Sequence, residues 1–229
     1  MCIRDSLKDN AFTKPVFIRV NDAMDAIGRE DIDAISPYQD QIEAIILPKT
    51  QSFDFLATLA PMIDFSNKLV PLIETPRAID TVTQIAAFKD VVGLFFGAAD
   101  SSASLGCKLA WEPLLYARQK VVLAAAMYNL FTIDAPFFYI DDKEGLKKEA
   151  EAVKNLGFTG KAAIHPDQID FINESFAPTS EEIAEGKKVL EEYQKSGGGA
   201  VKIDGQMDDE PIAEAMRLKI SLGEEENED

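Results

Sequence analysis

Short apolar runs rich in β-branched and aromatic residues recur along the chain. They are Pro15 to Val20 (PVFIRV), Glu43 to Pro48 (EAIILP), Leu69 to Glu74 (LVPLIE), Val91 to Gly97 (VVGLFFG), Phe131 to Ala135 (FTIDA) and Lys161 to His165 (KAAIH). The runs are continuous rather than alternating in polarity, which is how strands buried on both faces read. Between them lie segments of helical spacing with a polar face, among them Ile79 to Phe88, Glu112 to Tyr128 and Lys143 to Leu156. This βαβα rhythm predicts parallel strands with helices outside, in either a doubly wound open sheet or a (β/α)8 TIM barrel. The strand ends favour the barrel. Nearly every run closes on a polar or special residue: Arg19 with Asn21, Pro48 with Lys49, Glu74, Asp100 just past Gly97, Asp134 and His165. A barrel gathers all such ends at one mouth, whereas an open sheet gathers them only at a switch point.

The C-terminal part reads differently. Pro178 to Gln194 is expected to be an exposed helix opened by a capping pattern, Thr179 or Ser180 with Glu182. Ser196 to Gly199 (SGGG) reads as a flexible hinge, followed by an apolar run Ala200 to Ile203 and a last helix near Pro211 to Ile220. A hinge ahead of an ordered-looking element suggests a movable flap. The closing GEEENED is a solvated acidic tail.

Charge narrows the partners. With 23 Lys+Arg against 40 Asp+Glu the 229-residue chain carries a formal charge of −17, which argues against nucleic acid and against an anionic membrane surface. Two cysteines, Cys2 and Cys107, are too few for a disulfide framework. No apolar run approaches the roughly 18 residues of a membrane helix, and the first residues are not expected to form a signal peptide. The expected location is a reducing cytoplasm. The segment Gly157 to Lys161 (GFTGK) is too short for a phosphate loop and lacks the Ser or Thr after Lys.

Glu74 and Asp100 each follow an apolar strand, where a charge is costly to desolvate and is expected to be paired, hydrogen bonded or metal bound. Two hard oxygen ligands without a Cys or His cluster suit Mg²⁺ completed by water and substrate oxygens. The alternative for each is a helix cap or an Arg partner. Arg19 offers a forked set of donors to a carboxylate or a polarised carbonyl, or else a structural ion pair at the rim. His165, the sole histidine, is either a general base or part of a structural turn before Pro166. Lys49 is either a rim ion pair or a Schiff-base lysine.

Read in order, FIRVN, AIILPKT, LIETPRAI, GLFFGAADSSASLG, LGFTGKAAIHPDQI, NESFAPT and DGQMDDEPI resemble the successive motifs of the HpcH/HpaI aldolase superfamily. The resemblance is to its citrate lyase β-subunit-like branch, which includes malyl-CoA, β-methylmalyl-CoA and citramalyl-CoA lyases, and it runs from about Pro15 to Ile220. It implies a (β/α)8 barrel in homotrimers or larger assemblies such as hexamers, with Mg²⁺ held by Glu74 and Asp100. It implies a substrate contact through Arg19, which stabilises a thioester enolate, and binding of a 2-oxo acid carboxylate by backbone N–H groups of Gly97, Ala98, Ala99 and Asp100. Asp209 matches a lid aspartate that serves as acid/base in a neighbouring subunit. The reaction implied is cleavage of a 3-hydroxyacyl-CoA to an acyl-CoA and a 2-oxo acid.

Two departures bear on this. Citrate lyase β-subunits usually carry Glu where Ala99 stands, which moves the expectation away from citrate lyase proper; the IHP motif and the lid move it away from pyruvate aldolases. The family also begins with two strands, the second ending in D-L-E-D, ahead of R-V-N, whereas here Arg19 comes after eighteen residues and MCIRDSLKDN matches none of that. The expected organisation is a non-family N-terminus over 1–14, a partial barrel lacking its first two strands over 15–195, a hinge and lid over 196–222 and an acidic tail over 223–229. The alternatives are a malyl-CoA thioesterase on the same site, a citrate lyase β-subunit, or a noncatalytic fragment.

Overall fold

The computed structural model describes residues 12–63 and 68–195, the isolated positions Leu7 and Arg217, and the backbone of Val201–Ile203 and Gln206–Asp208. These fall into two compact units, Met1–Gln168 and Ile169–Asp229.

The first unit is an α/β arc. Its strands are β1 (Phe17–Arg19), β2 (Ala44–Leu47), β3 (Leu69–Ile73), β4 (Gly93–Phe96), β5 (Phe131–Asp134) and β6 (Gly160–Lys161). All pair in parallel in sequence order, with Arg19 beside Ile46, Leu47 beside Pro71, Ile73 beside Phe96 and Asp134 beside Lys161. The helices between them are α1 (Ala26–Ile35), α2 (Phe53–Leu59), α3 (Pro76–Asp80), α4 (Val82–Ala86), α5 (Ala98–Leu105), α6 (Trp111–Met127) and α7 (Lys143–Leu156). This is a partial TIM barrel: among the described residues no pairing joins β6 back to β1.

The pleat sorts the strand residues onto two faces. The concave face carries Ala44, Ile46, Val70 and Leu72, packed with Val92, Phe95 and Phe131. Phe17 reaches the same layer, its ring edge-on to Phe131 at 5.7 Å. The opposite face, with Ile45, Leu47, Ile73, Leu94 and Phe96 fully buried, lies under the helices. Each such side chain contributes roughly 1.5–3 kcal/mol of burial. On β1 the concave face is open: Phe17 and Arg19 are exposed while Ile18 between them is buried.

Two expectations from the apolar pattern shift. The helix expected over Ile79 to Phe88 is broken into α3 and α4 at Thr81, whose backbone leaves helical geometry at φ −99° and ψ 15° while its hydroxyl lies 2.9 and 3.2 Å from the carbonyls of Arg77 and Gln51. The strand expected from Lys161 to His165 ends at Lys161, since only Ala162 N–H still reaches back, to the Asp134 carbonyl, before the chain turns into Pro166.

In the second unit α8 (Ile169–Phe176) precedes α9 (Ser180–Lys195). Thr179 and Glu182 form the expected reciprocal cap: Glu182 N–H donates to Thr179 Oγ1 at 3.1 Å and Thr179 N–H to Glu182 Oε2 at 2.9 Å. The run Val201–Ile203 (β7) pairs antiparallel with Gln206–Asp208 (β8), Val201 opposite Asp208. The hinge at Ser196 to Gly199, the helix near Pro211 to Ile220 and the tail over 223–229 lie outside the described residues, apart from Arg217.

Candidate active site

The site is built where β3 turns into α3. Thr75 is the N-cap, its hydroxyl accepting from Ala78 N–H at 3.1 Å, and Pro76 follows at the first helical position. This sharp exit holds Glu74 at the carboxyl edge of the sheet, on the same face as Val70 and Leu72, with only 2% of its surface exposed. Its neighbour on β4 has to be small. A Cβ on Gly97 would lie 2.7 Å from Glu74 Cβ and 3.1 Å from Glu74 Oε2.

Lys49 stands over the same carboxylate from the β2–α2 turn. Its φ of 57° is left-handed, a conformation that costs a non-glycine residue roughly 1–2 kcal/mol. The turn directs its backbone N–H to Glu74 Oε1 at 2.8 Å. Its ammonium lies 2.8 Å from Asp100 Oδ1 and 3.5 Å from Glu74 Oε1. Asp100 sits in the first turn of α5, where the helix dipole favours a negative charge. Burial pushes the Glu74 carboxyl above its ordinary 4.5, against the pull of the Lys49 amide and ammonium. The hydrogen bond to Asp100 raises Lys49 above 10.5, helped by the charge of Glu74 and opposed by burial.

Arg19 and the β1–α1 turn close the other side. Asn21 donates from its backbone and its side-chain amide to Asp31 Oδ2, at 2.9 and 2.8 Å, which ties the turn to α1. Gly28 permits this approach, because any Cβ there would collide with the Asp22 carbonyl. The result is a cleft of about 370 Å³ whose walls include Arg19, Asp22, Asp25, Lys49, Glu74 and Asp100. Four carboxylates against two cations leave the cleft two charges negative. At the start of α5, Gly97 supplies no side-chain cap, so the amides of Ala98, Ala99 and Asp100 have no intrahelical partner. The Gly97 N–H itself is spent in the sheet, donating to Ile73 O at 2.9 Å.

The fold therefore brings together Arg19, Glu74, Asp100, the Ala98–Ala99 turn and Lys49. Other strand-end residues go elsewhere. Asp134 does not open to the mouth. It faces the helices, completely buried, and accepts from Arg118 Nε and Lys161 Nζ at 2.8 Å each. Lys161 Nζ also donates to Glu149 Oε1 and Ala135 O, which uses all three of its protons, and Gly157 is the left-handed cap of α7. GFTGK is thus a helix stop and a buried ion pair. His165 is absent from the cleft walls and accepts from Asp167 N–H at 3.2 Å, as the structural turn would have it. Asp209 lies outside the described residues. Asp22 and Asp25 were not singled out from the sequence; their one signal is that they follow Arg19 in the turn leaving a strand end.

Among the described residues no three Asp, Glu, His or Cys side chains converge as a metal cage. Glu74 and Asp100 nevertheless grip a cation already, the Lys49 ammonium. A pair of carboxylates around a cation-sized gap, open to a cleft, fits Mg²⁺, which binds through one or two carboxylates and keeps water or substrate oxygens for the rest. Among the described residues no helix is long and apolar enough to cross a membrane.

Comparison with known proteins agrees in sequence and in fold. The chain is 30% identical to the citrate lyase subunit beta of Haemophilus influenzae over 219 residues, 89% of this chain and 75% of that one. It is also 30% identical to the human mitochondrial citramalyl-CoA lyase over 230 residues, 90% of this chain and 67% of that one. The crystal structure of CitE from Mycobacterium tuberculosis in complex with magnesium, acetoacetate and coenzyme A superposes with a TM-score of 0.81 at 29% identity, covering 96% of this chain and 83% of that one. Residues 2–166 match the HpcH/HpaI aldolase/citrate lyase family, and the chain belongs to it.

Proposed function

We propose that this chain is a Mg²⁺-dependent carbon–carbon lyase that cleaves a 3-hydroxyacyl-CoA of the malyl-CoA, methylmalyl-CoA or citramalyl-CoA type to an acyl-CoA and a 2-oxo acid. The observation that carries the reading is the pairing of Glu74 and Asp100 about one cation in the cleft that Arg19 enters. The human relative's activity and the magnesium, acetoacetate and coenzyme A bound to CitE support it.

The reaction breaks the bond between the carbinol carbon and the carbon next to the thioester carbonyl. The hydroxyl proton passes to the Asp209 carboxylate, the carbinol becomes the 2-oxo group, and the bonding pair passes to the thioester as an enolate that is then protonated on carbon. Glu74 and Asp100 would hold Mg²⁺, which when bound polarises the oxygens of the hydroxy acid. Arg19 donates to the thioester oxygen and offsets the charge that develops there, most effectively where water is excluded. The free amides of Ala98, Ala99 and Asp100 at the start of α5 receive the 2-oxo acid carboxylate. Asp209 supplies the proton to the enolate carbon from a lid, in an oligomer of three or six chains. A citrate lyase β-subunit is the second reading, favoured by the Haemophilus relative and opposed by Ala99.

The test is product analysis with Mg²⁺ on malyl-CoA and citramalyl-CoA. Acetyl-CoA with glyoxylate, or with pyruvate, supports the lyase; free CoA with the intact hydroxy acid makes the chain a thioesterase instead. Glu74→Gln is expected to lower turnover at least a hundredfold, and parental turnover in that variant sinks the assignment.

A further inference from the structure

Lys49 has two functional groups on the same pair of acids. Its amide fixes Glu74 Oε1 at 2.8 Å, and its ammonium is placed between Glu74 and Asp100. The left-handed backbone at this position serves both contacts at once, and in a non-glycine residue such a conformation persists only where surroundings over-determine it. The two groups differ in mobility. The amide belongs to the turn after a buried strand, whereas the side chain is 45% exposed on a flexible four-carbon stem. Glu74 is almost wholly buried, so in the absence of any other cation the ammonium is what keeps two neighbouring carboxylates from repelling each other.

We infer that Lys49 is the resident counter-cation of the Glu74–Asp100 pair, and that a divalent ion enters by exchange: the ammonium leaves the gap into the cleft while the Lys49 amide keeps Glu74 oriented. This rests on the metal reading given above. A divalent ion and an ammonium cannot share a gap in which the ammonium already sits within 2.8 and 3.5 Å of the two carboxylates, because their mutual repulsion acts at the same short range as the attraction each seeks. The residue is therefore a positioning residue through its backbone and a competitor through its side chain. The second role makes an unusual demand: deleting a side chain at the site should improve metal binding.

The experiment is Mn²⁺ titration of the full 229-residue chain without substrate, by calorimetry or by the paramagnetic signal of free Mn²⁺, for the parent, Lys49→Met, Lys49→Arg and Glu74→Gln. Lys49→Met is expected to bind Mn²⁺ roughly two- to fivefold more tightly, the range set by the modest strength of half-exposed ion pairs. Lys49→Arg, which keeps the charge, is expected to stay near the parent. The rise in Tm on adding Mn²⁺ should also be larger in Lys49→Met than in the parent. A residue that merely supports the fold would change affinity in the opposite direction or leave it alone. Where Lys49→Met does not fold, Lys49→Gly is measured in its place; it relieves the left-handed strain, keeps the amide and removes the ammonium. If Glu74→Gln weakens Mn²⁺ binding but the Lys49 deletions leave it equal or weaker, the exchange is overturned and the metal site stands. If the parent and Glu74→Gln bind Mn²⁺ alike, or neither binds it, the metal reading falls and the exchange falls with it.

Discussion

Two clusters of opposite charges lie at strand ends of the same sheet, and they behave as different objects. Around Asp134 the charges are sealed in except at Glu149: Arg118, Asp134 and Lys161 are buried, Lys161 has three acceptors for three protons, only the Glu149 carboxylate among them partly exposed, and the Arg118 guanidinium lies 5.1 Å from the Phe96 ring and 4.8 Å from that of Trp111. Around Glu74 one acid is buried, but its partners Lys49 and Asp100 are 45% and 54% exposed. The first cluster has exchanged most of its hydration for protein partners, although Arg118 Nη1 is buried without a hydrogen-bond partner among the described residues, and it holds helices α6 and α7 to β5 and β6. The second keeps a solvent path and a cation on a flexible stem, so its bonds can be remade with a ligand. Charge alone does not mark a site; incomplete enclosure does.

The comparison can be broken at its strongest point by Asp134→Ala. Removing the shared acid strands two buried cations, and the expected loss is about 3–5 kcal/mol in urea unfolding. Should this variant keep parental stability but lose Mn²⁺ binding, the roles of the two clusters would have to be exchanged. Gly97→Ala tests the contact beneath Glu74. The added methyl meets a Cβ, which cannot swing aside, so β3 and β4 must part; a loss of about 1–3 kcal/mol is expected together with a fall in turnover. An unchanged melting temperature and rate would show that the packing there is looser than the 2.7 Å approach implies.

The smallest effect is a pH dependence. Burial raises the folded-state Glu74 carboxyl above 4.5, so this group contributes stability that is full below 4.5 and is lost as pH rises through the raised value, because the unfolded chain releases its proton first. In metal-free melts the parent should gain on Glu74→Gln as the pH is lowered through that window. Parallel pH profiles for the two proteins would remove the shift from the account of the site.

Much of the fold was legible from the chain. The six apolar runs place the strands of the arc, with boundaries shifted mainly where Lys161 hands over to the turn before Pro166. Thr179 before Glu182 announces a helix start because its hydroxyl satisfies a first-turn amide, whereas the same role of Thr75 before Pro76 emerged only in the structure. The break at Thr81 was hidden, since nothing in the apolar spacing of Ile79 to Phe88 marks the non-helical backbone found there. Of the site, Arg19, Glu74 and Asp100 could be picked out as polar residues at the ends of apolar strands, and the cleft contains all three. Lys49 was named but its posture was not legible, as nothing in LPKT says that a lysine will turn left-handed. The aspartate of the expected lid, Asp209, lies outside the described residues.

By itself the sequence determined the order of the βα units, the cap that opens α9, and which strand ends carry charge. Tertiary structure decided which of those charges meet. The physical reason lies in the pleat: a strand buried on both faces is apolar at every position, so its sequence does not say which alternate residues look inward. Packing of Val70, Leu72 and Phe131 on the concave face settles it. By that parity Glu74 follows Val70 and Leu72 to the mouth of the arc, while Asp134 falls one step out of phase with Phe131 and is closed beneath the helices.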